Sequence, residues 1–432
     1  MSDIAFSSEK ASVRDRTIRK LYKRIVLFAF ICFIVNYLDR VNIGFAALHM
    51  NEDLGLTPYL FGIGAGIFFL GYMAFEIPSN MMLHKYGPRV WIARIMITWG
   101  IVSCGMAFIT GPASFFIMRF LLGVAEAGFA PGILLYLTYW FPAQERARAT
   151  ALFMTATVLS IVFGAPLSGW LIEYGHGLLG LKGWQAMFLI EGAPAIILGI
   201  VTLFYLVDKP ENDRRWLAPD ERTWLLQQLE AERKAKPDHS QHDLRGALSD
   251  YRTWLLTLIY FGNSTALYGV ILWLPQIVKS IGGLTPIQVG FVSAIPFVFA
   301  AIGMIVIARN SDRTGERKYH TAITGLGGGV FLAASASVAD PYIAFALLCA
   351  CAFFLWAYLG VFWTLPTQYL SGAAAAAGLA AINGFAQIGG FIGPYLVGWV
   401  KGATDSFAMA LLVLAIFPLI SFVTALTLKM RR

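Results

Sequence analysis

An all-α integral membrane fold of twelve transmembrane helices, arranged as two six-helix bundles, is what the chain predicts, and three observations lead there. The 432 residues are 58% hydrophobic and 13% charged, with a mean hydropathy of +0.66, whereas soluble domains carry about 25% charged residues. Apolar stretches of about 20 residues, enough to cross a bilayer as helix, recur along most of the chain. The third observation is a polar interruption at 207–250, which divides the stretches into a first bundle at 1–206 and a second at 251–432.

The spans fall at 22–47, 58–83, 91–110, 114–139, 147–172 and 184–206 before the interruption, and at 252–278, 286–309, 319–338, 342–370, 374–399 and 406–428 after it. The interruption opens with Asp208-Lys209-Pro210-Glu211-Asn212-Asp213-Arg214-Arg215 and runs on through a Glu-, Gln-, Arg- and Ala-rich segment from Leu225 to Lys236. That composition suits a cytoplasmic linker with one or two short amphipathic helices and a solvated charged face. The glycine runs Gly62-x-Gly64-x-Gly66 and Gly325-x-Gly327-Gly328-Gly329 lie inside apolar spans, without the strand-to-helix context of a phosphate loop. They are read as helix-packing surfaces.

A net charge of +8 raises the question of nucleic acid, and its placement answers it. Arg14, Arg16, Arg19, Lys20, Lys23 and Arg24 precede the first span, and Lys429, Arg431 and Arg432 follow the last. Lys85, Arg89, Arg146, Arg148, Arg309, Arg313, Arg317 and Lys318 sit in connections on that same side, against Lys182, Lys279 and Lys401 on the other. This is the positive-inside pattern of a multi-pass protein with both termini in the cytoplasm, and no nucleic-acid surface is expected. The first apolar run is too long for a signal-peptide core and lacks a clean cleavage site, so it is expected to stay attached. Cys32, Cys104, Cys349 and Cys351 all lie in apolar segments without disulfide or metal-type spacing. Neither a metal nor a cofactor is expected.

Against this background one stretch stands out: Phe30-Ile31-Cys32-Phe33-Ile34-Val35-Asn36-Tyr37-Leu38-Asp39-Arg40-Val41-Asn42. A charge at the bilayer centre costs about 2.5–3.5 kcal/mol on insertion scales, so Asp39 and Arg40 are expected to face a polar cavity and to do different jobs. Span four adds Arg119, Gly123, Glu126 and Ala130 on one helical face. Arg119 and Glu126 are separated by about 10 Å of helical rise, so each is expected to find its partner on another helix. Pro131 is expected to bend the helix just past Glu126. A carboxylate removed from water has its charged form disfavoured and can then load and release a proton. Hence Asp39 is expected to pair with Arg119 in one state and to become protonatable when they part, with Glu126 as the second proton site. Arg40, whose planar fork suits a carboxylate, is expected to bind substrate.

The two halves echo each other in their loops. His84-Lys85-Tyr86-Gly87-Pro88-Arg89 follows span two and Asp312-Arg313-Thr314-Gly315-Glu316-Arg317 follows span eight, and such duplication suits transporters with a site between repeats. The second loop, with Ala308 at the small position, resembles the major facilitator superfamily pattern; the first departs from it at Asn80 and His84. Tyr37-Leu38-Asp39-Arg40-Val41-Asn42, the span-four run, Gly71-Tyr72-Met73-Ala74-Phe75-Glu76-Ile77-Pro78-Ser79-Asn80, Trp140-Phe141-Pro142-Ala143-Gln144-Glu145-Arg146 and Phe188-Leu189-Ile190-Glu191-Gly192 together resemble its anion:cation symporter branch. The resemblance implies a major facilitator fold in a bacterial inner membrane, importing a carboxylate such as tartrate, another hydroxy acid, a sugar acid or an aromatic acid together with protons. It also implies that Asp39, Arg40, Arg119 and Glu126 are the family's membrane charges and that Tyr37 and Tyr72 are binding tyrosines. Thr157 stands where aldonate carriers have Gln.

No comparable charge lies within a span of the second half, which is expected to supply hydrogen bonds and rings: Asn263, Trp363, and the i, i+4 pair Asn383 and Gln387. Glu76 and Glu191 are read as structural or gating groups nearer the membrane faces. The rival function is a proton-coupled antiporter exporting drugs or metabolites, but Gly164-Ala165-Pro166-Leu167-Ser168-Gly169 breaks the Gly-Pro hallmark of that class on span five. Enzyme readings fail for want of a zinc-binding histidine pair or a nucleophile elbow. The expected protein is a monomer that moves a small organic anion and protons across a lipid bilayer by alternating access.

Overall fold

The computed structural model describes residues 2–235, 249–366 and 373–428. Lys236, His239, His242, Lys429, Arg431, Arg432 and the end of the tenth span lie outside them. Before the linker come α1 (Ser12–Asp53), α2 (Pro58–Tyr86), α3 (Pro88–Phe108), α4 (Pro112–Trp140), α5 (Ala143–Tyr174) and α6 (Gly183–Tyr205). The linker contributes α7 (Pro219–Ala235). After it come α8 (Tyr251–Lys279), α9 (Pro286–Thr314), α10 (Lys318–Ser337), α11 (Pro341–Phe362), α12 (Ala373–Thr404) and α13 (Phe407–Thr427). Among the described residues ten of these helices are long and apolar enough to cross a membrane. The glycine-rich α10 and the alanine-rich start of α12 complete the twelve that the sequence predicts.

Local chemistry explains the boundaries. Pro58, Pro88, Pro112, Pro286 and Pro341 each open a helix, where the missing N–H costs nothing. Thr57 and Asp340 cap α2 and α11 by accepting from backbone N–H groups of the first turn. Gly315 ends α9 at φ 68°, a left-handed position that suits glycine.

Two helices are interrupted where the charges lie. Within α1 the pieces Leu27–Val41 and Ile43–Asp53 join at Asn42, so Arg40 falls in the last turn of the first of them. α4 consists of Pro112–Glu126 and Phe129–Trp140, joined through Ala127 and Gly128 at φ 87°. The break expected at Pro131 therefore comes earlier. Pro131 occupies the first turn of the new piece, where no intrahelical N–H is needed, and the left-handed Gly128 makes the corner.

The helices before and after the linker form two groups that meet along three seams, α2 with α12, α5 with α9, and α1 with α8. At the end away from the termini the seams are glycine against backbone. A Cβ added to Gly62 would lie 2.6 Å from the Pro394 carbonyl oxygen, and one on Gly290 would lie 2.5 Å from that of Ala165. Such close approach is the role of small residues in membrane helix packing. Glu173 also crosses at this end, accepting from the Ile287 N–H at the start of α9 (3.0 Å).

α7 packs on the start of α1. Its acids are not merely solvated, as the composition suggests, but paired: Glu221 with Arg16 (2.9 Å) and Lys20 (2.7 Å), and Glu232 with Arg146 (2.9 Å). Burial acts to raise the Glu221 carboxyl, yet hydrogen bonds from Lys20, the Ala218 N–H and Arg16 hold it below the ordinary carboxylate range.

Candidate functional site

Successive residues on a helix point about 100° apart, and this separates Asp39 from Arg40. Arg40 turns toward α4. Its Nη2 and Nε both donate to Oε2 of Glu126, at 2.9 and 3.3 Å. Both side chains are buried. The fork thus grips one oxygen, and Glu126 Oε1 completes no hydrogen bond of good geometry. Asn36, one turn before Arg40, is fully buried with its amide beside the Glu126 carboxylate.

Aromatic faces surround the guanidinium, its carbon lying 5.7 Å from the Tyr37 ring centroid, 5.2 Å from Phe68 and 5.1 Å from Tyr72. Phe68 also stands 5.0 Å from the guanidinium carbon of Arg119. One ring therefore lies within cation–π range of both buried cations.

Asp39 turns instead toward α3. Its carboxylate accepts from Trp99 Nε1 at 3.0 Å and from Ser103 Oγ at 2.9 Å. Arg119 donates to the carbonyl oxygens of Gly64 (3.3 Å) and Ala65 (3.1 Å) on α2. The Asp39–Arg119 pair expected from the sequence is not formed in this conformation, and the pair that does form is Arg40–Glu126. As the spacing along α4 requires, Arg119 and Glu126 find separate partners.

Glu191 is more deeply placed than the sequence suggests. It is buried between α1 and α5, accepting from Asn42 at 3.0 Å and Ser168 at 2.7 Å. Asn42 is the residue at which α1 changes pieces, so this carboxylate braces the break. Glu76, one turn beyond Tyr72, accepts from Asn383 Nδ2 across the α2–α12 seam at 2.8 Å.

The remaining sequence candidates are placed as follows. Asn263 is buried, and its amide donates to the Ile259 carbonyl of its own helix at 3.0 Å. Trp363 is half-buried and meets Tyr260 edge to face at 5.1 Å. Gln387 is half-buried one turn from Asn383. Thr157 is half-buried on α5, donating to the Met154 carbonyl at 2.7 Å. Trp99, Ser103 and Phe68 escaped the sequence reading. Trp99 and Ser103 are an i, i+4 pair of hydrogen-bonding residues in an apolar span, the one signal that could have found them.

The family model of the Major Facilitator Superfamily matches residues 29–394 and, in a second match, 256–431. A protein of Agrobacterium vitis that carries the name tartrate transporter is 51% identical over 419 residues, covering 97% of this chain and 96% of its own. A quinolone resistance transporter of Acinetobacter baumannii is 39% identical, over 96% of this chain and 94% of its own. Among solved structures, a bacterial homolog of the human lysosomal transporter Spinster, inward-facing and unoccupied, superposes with a TM-score of 0.76 at 17% identity, over 93% of this chain and 95% of its own. The buried charges of the first helical group, the doubled six-helix plan and these matches agree: the chain is a transporter, not an enzyme, and belongs to the Major Facilitator Superfamily.

Proposed function

We propose that the protein imports a small organic anion, a hydroxy dicarboxylate such as tartrate in first place, together with protons across a bacterial inner membrane. The observation that carries this reading is the Arg40–Glu126 pair, buried, ringed by Tyr37, Phe68 and Tyr72, with one carboxylate oxygen left outside the Arg40 fork. A guanidinium offers more donors than one oxygen can use, so an incoming carboxylate can share or replace Glu126 on Arg40. When it does, Glu126 loses its counter-charge in a dry setting and takes a proton. Asp39, held apart by Trp99 and Ser103, is the second proton carrier, and Arg119 its partner in the alternate state. Residues 1–206 and 251–432 rock as two bundles joined by 207–250, with both termini in the cytoplasm and the protein acting as a monomer. Tyr37, Tyr72, Thr157, Asn263, Trp363, Asn383 and Gln387 line the path of the anion. The name of the tartrate relative, at 51% identity over nearly the whole chain, supports the substrate class.

A second reading, drug or metabolite export by proton exchange, is favoured by the quinolone resistance relative. Proteoliposomes with an imposed pH gradient separate the two. Inward tartrate accumulation driven by external acid is expected. It should vanish in Asp39→Asn and Glu126→Gln, while exchange of labelled for unlabelled tartrate survives. Quinolone efflux without carboxylate uptake would overturn the import reading.

A further inference from the structure

Glu76 is a buried-side carboxylate for which the scheme above has no use. It sits one helical turn from Tyr72 on α2 and holds Asn383 of α12 at 2.8 Å. The Arg40 charge acts on it through space, and Tyr72 and Tyr260 of α8 lie within electrostatic reach. A carboxylate belonging to the protein thus stands between a guanidinium and an amide, each of which could recognise a carboxylate of the substrate.

We infer that Glu76 acts as a built-in competitor for Asn383, a specificity-determining residue that a second substrate carboxylate must displace. This rests on the organic-anion reading and sharpens it. A monoanion needs Arg40 alone and leaves the Glu76–Asn383 bond in place. A dianion that reaches from Arg40 to Asn383 must break that bond and bring its second charge against the Glu76 carboxylate it evicts. Glu76 therefore lowers affinity for dicarboxylates more than for monocarboxylates, and its contact across the α2–α12 seam links that choice to the relative position of the two bundles.

The test uses the full-length purified protein, titrated calorimetrically with tartrate and with tartramate, the monoamide of nearly the same size and one charge fewer. Glu76→Gln keeps the side-chain length and an acceptor oxygen for Asn383 while removing the charge. Tartrate binding should tighten about tenfold, the scale of one screened charge at close range, and tartramate binding should change less than about threefold by the same reasoning. In an Asn383→Ala background the tartrate gain should shrink to less than about threefold, because no amide is left to draw the second carboxylate beside the Glu76 charge. Equal responses of the two ligands, or an undiminished gain without Asn383, would overturn the competition while leaving the organic-anion reading intact. If neither ligand bound the wild-type protein or any variant, that reading would fall and this inference with it.

Discussion

The half before the linker and the half after it share a plan and differ in their interiors. The first buries Asp39, Arg40, Arg119, Glu126 and Glu191. Among the described residues of the second, the buried polar side chains are neutral: Asn263, Ser264, Thr265, and other hydroxyls. Every charge in the first half is held by a partner from a different helix, Asp39 by α3, Arg40 by α4, Arg119 by α2 and Glu191 by α1 and α5. Asn263 in the second half leans on its own helix. The lesson concerns division of labour. Buried charge is concentrated in one bundle, whose helices are cross-linked by it, and the other bundle supplies a neutral wall.

The sharpest way to break this contrast is Arg40→Ala, which leaves Glu126 buried without a cation. A loss of about 3–5 kcal/mol is expected for an orphaned partner of a buried pair, read as a large drop in melting temperature in detergent. Adding Glu126→Leu should recover much of that loss, since an apolar replacement removes the stranded charge. A double variant no more stable than the single one would show that the pair is not what sets the stability of the first half. Next in size is Trp99→Phe, which keeps the ring and removes one donor to Asp39. About 1–3 kcal/mol should disappear for an unsatisfied charged acceptor, and none of it should appear in an Asp39→Ala background, where no acceptor is left for the Trp99 N–H. The smallest effect belongs to the neutral half. Asn263→Ala should cost about 0.6 kcal/mol, the average for a hydrogen-bonding side chain in a membrane interior. A loss as large as that of Arg40→Ala would erase the distinction between the halves.

How far the sequence could be read follows the same division. The twelve helices were legible because apolar length is a one-dimensional property, and the Pro-first helix starts are local. The buried charges were legible too, since an Asp-Arg pair inside oil has few innocent explanations. Their partners were not. Whether Asp39 meets Arg119 or Trp99 depends on how α1 is rotated against α3 and α4, which spacing along one helix does not encode. The corner of α4 shows a second limit. Pro131 and Gly128 both signal a break, and only packing decides that glycine takes the left-handed corner while proline tolerates the new first turn. Glu76 and Glu191 show a third limit: spacing along one helix says nothing of their partners, Asn383, Asn42 and Ser168, which lie on others.

Glu173 accepts from the Ile287 N–H in the first turn of α9 from the opposite bundle, at the rim where α5 and α9 meet. As the rim parts, water can hydrate the carboxylate and the helix start alike, so this clasp fixes alignment without adding much resistance to opening. The close contact lies instead in glycine faces such as Gly62 of α2 against α12 and Gly290 of α9 against α5, which offer a wetting front nothing polar to grasp except carbonyls already engaged in their own helices. Under the proposed rocking of the two bundles, a gate made this way would open by peeling from its hydrated edge rather than by snapping a central bolt.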